Sequence, residues 1–449
     1  MERVYHVEDN GQLRRPPQPV PGKFAALTEL RAGLVRTLGI RAPIARTTFV
    51  QSRPAEKRRV YEQGLASLSL LPVNVKDARV DGAFVKCEKV NAKKGDPAPR
   101  IIQPRSVRYN IEVGRYLAPI EHDVYSAIDD MWGGPTVMKG YNADQIGEII
   151  HDQWARFDDP VALGLDASRF DQHVSFEALQ FEHGLYNEVF RSAELRRLLR
   201  WQLVNKGVAH ADDATFLYTK VGSRMSGDMN TALGNIILMC LMVKRFVDER
   251  RVRAALINNG DDCTLIFERA DLAAILEGLK EWFLEYGFNI VQEPVVDEIE
   301  KIEFCQMHPV CVDGKWRMVR NFLASMTKDA VSIRSRTALE LRQWMHCVGK
   351  CGLAMASGVP VQQEYYKMFI RSGVKGGRLY AVEGRTGLTW YSFNMTAAEV
   401  KIADSTRVSF WKAFGIDPAE QVNMEADFAS KLLPPNATPA DTYYNYIDR

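Results

Sequence analysis

The spacing of apolar and polar positions changes several times along this chain, and each change marks an element. The stretch "TALGNIILMCLMVKRF" (231–246) is apolar on nearly every face, the pattern of a helix buried on all sides. It follows "GSRMSGDMN" (222–230), a polar, glycine-bearing loop. Next come two short β-rich runs, "AALIN" and "CTLIF", around Gly260, which predict a hairpin with a tight turn. "DDPVALGLD" (158–166) predicts a short apolar strand ending at an aspartate, and "SFEALQFEHGLYNEVF" (175–190) a helix behind a serine placed to cap it. "DLAAILEGLKEWFLEYG" (271–287) is amphipathic and predicts one helix that stops at its final glycine. "FNIVQE", "KIEFCQMHPV" and "WRMVR" read as further strands. Upstream, "LRRPPQPVPGKF" (13–24) is Pro-rich and extended, helical patches alternate with breaks from Phe24 to about Ser69, and "NAKKGDPAPR" (91–100) is a basic loop. From about Leu323 the pattern is mainly helical, with loop-rich sections after Gly373. There is no internal repeat and no low-complexity tract. The middle of the chain is therefore α+β, between a basic N-terminal portion and a helical C-terminal portion.

Composition narrows the class. A chain of 449 residues can hold one large multi-lobed enzyme or about two to three domains. Its 46% hydrophobic and 25% charged residues are ordinary for a soluble globular protein. No apolar run reaches the ~18–20 residues of a membrane span; "NIILMCLMV" (235–243) is too short. The opening "MERVYHVEDN" lacks the apolar core of a signal peptide. The seven cysteines are scattered and odd in number, which argues for reduced thiols in a cytosolic setting. Cys347 and Cys351 with His346 fall short of a zinc ligand set and read as packed thiols on a helix. The net charge of +2 hides an asymmetry: residues 1–120 hold 22 Lys+Arg against 11 Asp+Glu, and the remainder holds 36 against 45. That division suits a phosphate-rich partner on one side and metal-binding carboxylates on the other, although a solvated basic surface has the same charge.

Four stretches carry candidate chemistry. In "LGLDASRFDQH" (163–173), Asp166 ends an apolar strand and Asp171 follows it. In "INNGDDCTLIF" (257–267), Asp261 and Asp262 sit side by side at a turn, where like charges repel. Aspartates at the ends of two strands of one sheet make an all-oxygen site for a hard divalent cation such as Mg²⁺. Two such ions are the usual device for in-line phosphoryl transfer. Singly, D-x4-D is equally a helix cap and GDD a serviceable turn; the two together are far more specific. In "SGDMNTALGN" (226–235), Ser226 and Gly227 open the loop, while Thr231 and Asn235 share a helix face. Polar groups on an apolar helix need partners, and Asp171 can supply one, making a network able to bind a ribose 2′-hydroxyl. A helix N-terminus with a buried Asn bonding its neighbours is the plainer alternative. In "FVKCEKVNAKKGDPAPRIIQPRSVR" (84–108), Lys86, Lys89, Lys93, Lys94, Arg100, Arg105 and Arg108 alternate with apolar residues and prolines. A strand-like alternation presents cations on one face, suited to a triphosphate or an RNA backbone.

The order "KCEK…PRIIQPR", "DASRFD", "SGDMNTALGN", "GDD", "IEFCQ" resembles the RNA-dependent RNA polymerases of positive-strand RNA viruses. The wording is most similar to the tombusvirus–carmovirus group and its umbravirus-like relatives. "DPAPRIIQPRSVRYNIEVGRYLAPIEH", "LDASRFDQHVS" and "IEFCQMHPV" are the most specific stretches, and the resemblance runs from about residue 15 to beyond residue 370. It implies a right-hand fold of fingers, palm and thumb, with an antiparallel-sheet palm of the RRM-like type. Residues 1–160 would form an N-terminal extension and fingers, with the basic loop at 84–108. Residues 161–320 would form the palm, with a fingers insertion around 190–221, and 321–449 the thumb and tail.

The resemblance also implies roles. Asp166 and Asp261 would bind two Mg²⁺ ions, with Asp262 assisting and Mn²⁺ as a substitute. Asp171, Ser226, Thr231 and Asn235 would recognise the incoming ribose, and Gly227 would give its loop freedom during translocation. Lys86, Lys89, Lys93, Lys94, Arg100 and Arg105 would line the path of the NTP triphosphate and RNA. Glu303, Phe304, Cys305 and Gln306 would form the hairpin that grips the nascent strand. The family often carries a lysine after the "GLKEWFLEYGF" helix as general acid toward pyrophosphate; here none comes before Lys301, and the role stays unassigned. Implied partners are single-stranded RNA template, nascent RNA, NTPs, a viral membrane-targeting replication protein or upstream region, and host factors. The implied location is the host cytoplasm, at membrane-associated replication complexes, with the chain as the polymerase portion alone. Initiation would be de novo, with Tyr443, Tyr444 and Tyr446 as stacking candidates in a tail that otherwise reads as disordered. Rival readings are a reverse transcriptase, an inactive RNA-binding palm and a cyclic-nucleotide synthase. An aromatic usually stands where Asp171 does in the first, a lost metal carboxylate would mark the second, and the third has no need of the long basic loop.

Overall fold

The computed structural model describes residues 2–9, 11–87, 98–210, 214–332, 337–376, 388 and 391–435. The chain forms two compact units, each assembled from separate stretches. Among the described residues, the first comprises those of Met1–Lys86, Ala98–Val137 and Leu165–Glu293, and the second Cys87 with those of Met138–Gly164 and Pro294–Arg449.

The first unit holds strands β1 (Val7–Asp9), β2 (Gln12–Arg14), β3 (Val80–Val85) and β4 (Ile101–Ile102). It also holds the end of β5 (Pro160–Ala167), then β6 (Val204–His210), β7 (Thr215–Val221), β8 (Ala254–Asn259), β9 (Asp262–Glu268) and β10 (Ile290–Gln292). One four-stranded sheet has the order β10-β5-β9-β8, and a second has the order β4-β3-β6-β7. The predicted hairpin is β8–β9, in antiparallel register from Ala254↔Phe267 to Asn259↔Asp262. Its strands are buried through their centres on both faces, so their apolar runs are continuous rather than alternating.

Helix Thr231–Glu249 is enclosed, as its all-round apolar sequence requires. It packs against β8, helices Glu121–Trp132 and Phe176–Phe190, and the turn Lys23–Leu27. Ser175 caps the Phe176–Phe190 helix by accepting from the Ala178 amide at 3.1 Å. The Pro-rich stretch is extended as expected, and it is tied down: Val20 N donates to Glu285 O at 2.8 Å, and Phe24 packs edge-on against Tyr286. The single helix expected over 271–287 is instead two, Leu272–Leu276 and Leu279–Leu284. Gly278 lies between them at φ 61°, a left-handed conformation that interrupts the amphipathic run.

In the second unit, β11 (Met307–Val312) and β12 (Lys315–Arg320) form a hairpin. The strand expected over "KIEFCQMHPV" is confined to its second half. Ile299–Lys301 is a 3-10 turn, and Cys305 (φ 52°) and Gln306 (φ 62°) are both left-handed. Phe304 and Met307 close that turn with reciprocal backbone hydrogen bonds of 2.9 and 3.0 Å. Consecutive positive φ values are the type I′ pattern. Helix Ala143–Trp154 lies directly on β12: a Cβ on Gly147 would come within 2.6 Å of the Arg317 backbone. Among the described residues, helices Phe322–Asp329, Ala338–Ala356, Gln362–Ser372, Asp404–Phe414 and Pro418–Ser430 form the helical C-terminal portion that the sequence predicts. None of the described cysteines is in a disulfide, and no described helix is long and apolar enough to cross a membrane.

Candidate active site

Alternation along β5 buries Leu165 and Ala167 and leaves Asp166 exposed at the strand end. In the β8–β9 turn the two central residues are Gly260 and Asp261, and only Gly260 has positive φ (87°). That is the type II′ arrangement, with glycine at the first central position. Asn258, wholly buried, braces the turn. Its amide donates to Gly260 O at 2.8 Å and accepts from Gly260 N at 3.1 Å, while its own N–H reaches Thr136 O at 2.8 Å. Strands β5 and β9 are neighbours, and the Cys263 thiol points at Leu165 O at 3.6 Å. Asp166 and Asp261 therefore open onto one cleft of ≈ 610 Å³ within the first unit.

Asp262 heads β9 opposite Asn259 and is not among the residues lining the cleft. Protein surrounds the Asp261 carboxyl even though it meets solvent at the cleft mouth. Burial raises its pKa above the ordinary carboxylate value, Asp171 and Asp166 add to the rise, and Arg100 opposes it. Carboxylates crowded this way are the hard oxygen donors that a divalent cation would relieve. Among the described residues, no three His, Cys, Asp or Glu side chains are gathered into a ready metal site.

The partner expected for Asn235 is present: its Nδ2 donates to Asp171 Oδ1 at 2.8 Å. Burial raises the Asp171 pKa, while the Asn235 hydrogen bond and the Arg224 charge pull it down. Ser226 and Thr231 also line the cleft, yet both hydroxyls serve the loop. Ser226 Oγ accepts from Gln103 N at 2.9 Å, and Thr231 Oγ1 lies 3.0 Å from Met225 O and 2.9 Å from Asp228 O. Gly227 is pressed against the strand before Arg105: a Cβ there would lie 2.5 Å from Gln103 O and 2.6 Å from Pro104 Cα. Close backbone approach is thus what the position demands of this glycine.

The basic stretch divides. Lys86 and Arg100 line the cleft, their segments joined by a 2.8 Å hydrogen bond from Lys86 N to Arg100 O. Arg105 does not join them, which corrects the expectation. Its side chain is wholly enclosed, with Nε on Asp228 at 2.6 Å, Nη2 on Asn205 Oδ1 at 2.6 Å and Nη1 on Ala78 O. Enclosed, with every guanidinium nitrogen engaged, it does not reach the cleft. Arg108 likewise binds Asp77 at 2.9 Å. Lys89, Lys93 and Lys94 lie outside the described residues, as do Tyr443, Tyr444 and Tyr446.

Two sets of residues escaped the sequence reading. One is the segment from Glu2 to His6. Arg3 and Val4 line the cleft, and Arg3 Nε donates to Ala98 O at 3.0 Å. Glu2 pairs with Arg169 at 2.5 Å, and Gln172 Nε2 donates to Glu2 O at 3.1 Å and His6 O at 3.2 Å. This charged terminal segment carries no periodic signal that could mark it as a cleft wall. The other set is the ion pair of Arg224 with Glu182, behind Asn235. A charge flanking a glycine-bearing loop reads as exposed, and only the fold buries it.

Glu303–Gln306 lie in the second unit, at the Phe304–Met307 turn. Phe304 is buried, Glu303 stands 3.8 Å from His308, and Gln306 accepts from Lys328 at 2.8 Å. Lys301, the first lysine after the 279–284 helix, closes the 3-10 turn of that same unit.

Residues 1–433 match the family described as viral RNA dependent RNA polymerase. The chain is 44% identical over 440 residues to the RNA-directed RNA polymerase of Maize chlorotic mottle virus (isolate United States/Kansas/1987), covering 96% of this chain and 45% of that protein. It is 44% identical over 447 residues to the RNA-directed RNA polymerase of Carnation mottle virus, covering 98% and 58%. With that of Tomato bushy stunt virus (strain Cherry) it shares 41% identity over 433 residues, covering 95% and 52%. The chain thus spans about half the length of the relatives it matches.

Proposed function

Since the chain belongs to the viral RNA-dependent RNA polymerase family, we propose that it carries out RNA-templated RNA synthesis in the replication of a positive-strand viral genome. The observation that carries this reading is the cleft of the first unit, where Asp166 and Asp261 face the same space as the Asp171–Asn235 pair, Lys86 and Arg100. In this reading the sheet β10-β5-β9-β8 is the palm of a right hand, residues 1–160 carry the fingers, and 321–449 the thumb. The 3′-hydroxyl of the growing strand attacks the α-phosphate of an NTP, forming the phosphodiester bond and releasing pyrophosphate. Asp166 and Asp261, with Asp262 assisting, would hold two Mg²⁺ ions, with Mn²⁺ as a substitute. Bound there, the metal would acidify the attacking hydroxyl and neutralise charge on the leaving pyrophosphate.

The chain's own groups account for the rest. Lys86 and Arg100 hold the triphosphate through charge-assisted hydrogen bonds, Arg100 as a planar fork. Asp171, steadied by Asn235, accepts the ribose 2′-hydroxyl, while Ser226, Gly227 and Thr231 shape the loop beside it. A carboxylate in this place favours ribonucleotides and speaks against a reverse transcriptase. Glu303–Gln306 would steady the nascent strand. Initiation is de novo, and recruitment to membrane-associated complexes in the host cytoplasm would depend on a viral membrane-targeting protein or region and on host factors.

The test is to incubate the full chain with unprimed single-stranded RNA, four NTPs and Mg²⁺ or Mn²⁺, beside Asp261→Ala. Template-length product from the unsubstituted chain alone is expected. Extension only of an annealed primer would keep the chemistry and remove de novo initiation. RNA binding without synthesis in either format would replace the polymerase reading with an RNA-binding scaffold.

A further inference from the structure

We propose that the buried Arg224–Glu182 ion pair is the positioning device for ribose selection, orienting Asn235 and through it Asp171. The inference rests on the polymerase reading and concerns how its ribose site is held.

Arg224 reaches the site at three points. Its Nε donates to Asn235 Oδ1 at 3.0 Å, its Nη2 donates to Glu182 Oε2 at 2.5 Å, and its peptide N–H donates to Asp171 O at 2.8 Å. The first contact decides which way the Asn235 amide faces. With Oδ1 claimed by a cation, Nδ2 must turn to Asp171, where it donates at 2.8 Å. The flipped amide would set two oxygens against each other. Asp171 Oδ1 is then occupied, and its Oδ2 accepts no hydrogen bond from any described residue. A 2′-hydroxyl in the cleft thus meets a carboxyl oxygen held at a defined angle.

Arg224 is held from behind. Glu182 Oε1 accepts from Tyr186 Oη at 2.8 Å and from Asn230 Nδ2 at 2.7 Å. Asn230 in turn accepts from Gln202 Nε2 at 3.0 Å, and Gln202 Oε1 meets His183 Nε2 at 3.0 Å. Arg224 and Glu182 are both fully excluded from solvent, where a hydrogen-bonded ion pair is strong and stiff. The helix has been cleared to admit the pair: a Cβ on Gly234 would lie 2.3 Å from Glu182 Oε1 and 2.4 Å from Arg224 Nη2. Binding groups need such backing to hold their geometry.

Two variants of the full chain test this. Arg224→Met combined with Glu182→Leu removes both charges at similar volume, an exchange that folds often tolerate. Arg224→Lys keeps a charge for Glu182 but loses the fork that also reaches Asn235. The readouts are kcat/KM for CTP against dCTP in primer extension, and equilibrium dialysis of ATP against dATP, which needs no turnover. Thermal melts monitor folding. The ribo-to-deoxy ratio should fall roughly tenfold or more in both variants, as expected for losing a well-placed hydrogen bond to a charged group, with the loss in KM for the ribonucleotide. Asn235→Ala should give the same fall, and adding it to the double variant should lower the ratio no further.

An unchanged ratio in both Arg224 variants, with a fall in Asn235→Ala, would overturn the proposal and leave the ribose reading standing. Equal loss of both nucleotide types would make the pair purely structural and also overturn it. If Asp171→Ala and Asn235→Ala leave the ratio unchanged, the ribose reading fails and takes the proposal with it. Should the double variant not fold, Arg224→Lys decides alone.

Discussion

The front and the back of the cleft use the same kinds of side chain in opposite ways. At the front, Asp166 and Asp261 crowd each other at a strand end and a turn, and Asp261 is raised in pKa by burial and by its acidic neighbours. At the back, Arg224 with Glu182 and Arg105 with Asp228 are buried as matched pairs. Burial disfavours the charged form of both members of the first pair. The charge of each partner nevertheless holds the Glu182 carboxyl below, and the Arg224 guanidinium above, its ordinary value. In the proposed reading the front takes up cations, while the back holds shape. Like charges are left facing each other at the front, and opposite charges are matched at the back.

The contrast breaks most visibly at Asp261. Asp261→Ala should lower synthesis by roughly 10³-fold or more, the scale of several kcal/mol of charge stabilisation. RNA binding should persist, and the melting temperature should hold or rise, because a repulsion has gone. A lower melting temperature together with lost RNA binding would place Asp261 in the scaffold instead. Arg105→Ala should behave in the opposite sense. It strands Asp228 in the interior and should cost about 3–5 kcal/mol of stability in a denaturant titration. A raised KM for NTP at unchanged stability would return Arg105 to the nucleotide path.

Arg100→Ala sharpens the front alone. KM for NTPs should rise roughly tenfold, the worth of one hydrogen bond to a charged group. Arg100 opposes the rise at Asp261, so its removal should send that carboxyl higher still and move the acid limb of the activity profile to higher pH. An unmoved limb would separate Arg100 from the carboxylates.

The smallest effect is the pH dependence of the scaffold. Glu182 is depressed from 4.5, so its contribution is complete above that value and lost as pH falls through its lower folded value. His183 is lowered from 6.5 by burial, so the fold favours its neutral form, and that contribution is likewise lost as pH falls below 6.5. Melting temperature should drop below pH 6.5 through His183 and further below pH 4.5 through Glu182, and the second fall should be shallower in the variant that combines Arg224→Met with Glu182→Leu. Equal slopes would show the pair to be thermodynamically silent.

Local patterning made much of this legible. The Ala254–Glu268 hairpin, the enclosed Thr231–Glu249 helix and the Ser175 cap follow from period, burial and capping chemistry, which act over a few residues. So does the presence of aspartates at a strand end and a turn. Gly278 was harder, because a single left-handed glycine splits a helix without altering its amphipathic period. Arg100 and Arg105 were indistinguishable in "PRIIQPR", yet one lines the cleft and the other is enclosed. The Asn258 brace and the Glu2–His6 wall bring together residues far apart in sequence. The sequence by itself determined the elements, the order of the chemistry-bearing residues and the family to which they belong. Tertiary structure alone decided which charges meet the cleft and which are buried against a partner. That choice depends on what packs behind each side chain, and nothing within a few residues of Arg224 announces that Glu182 will be there.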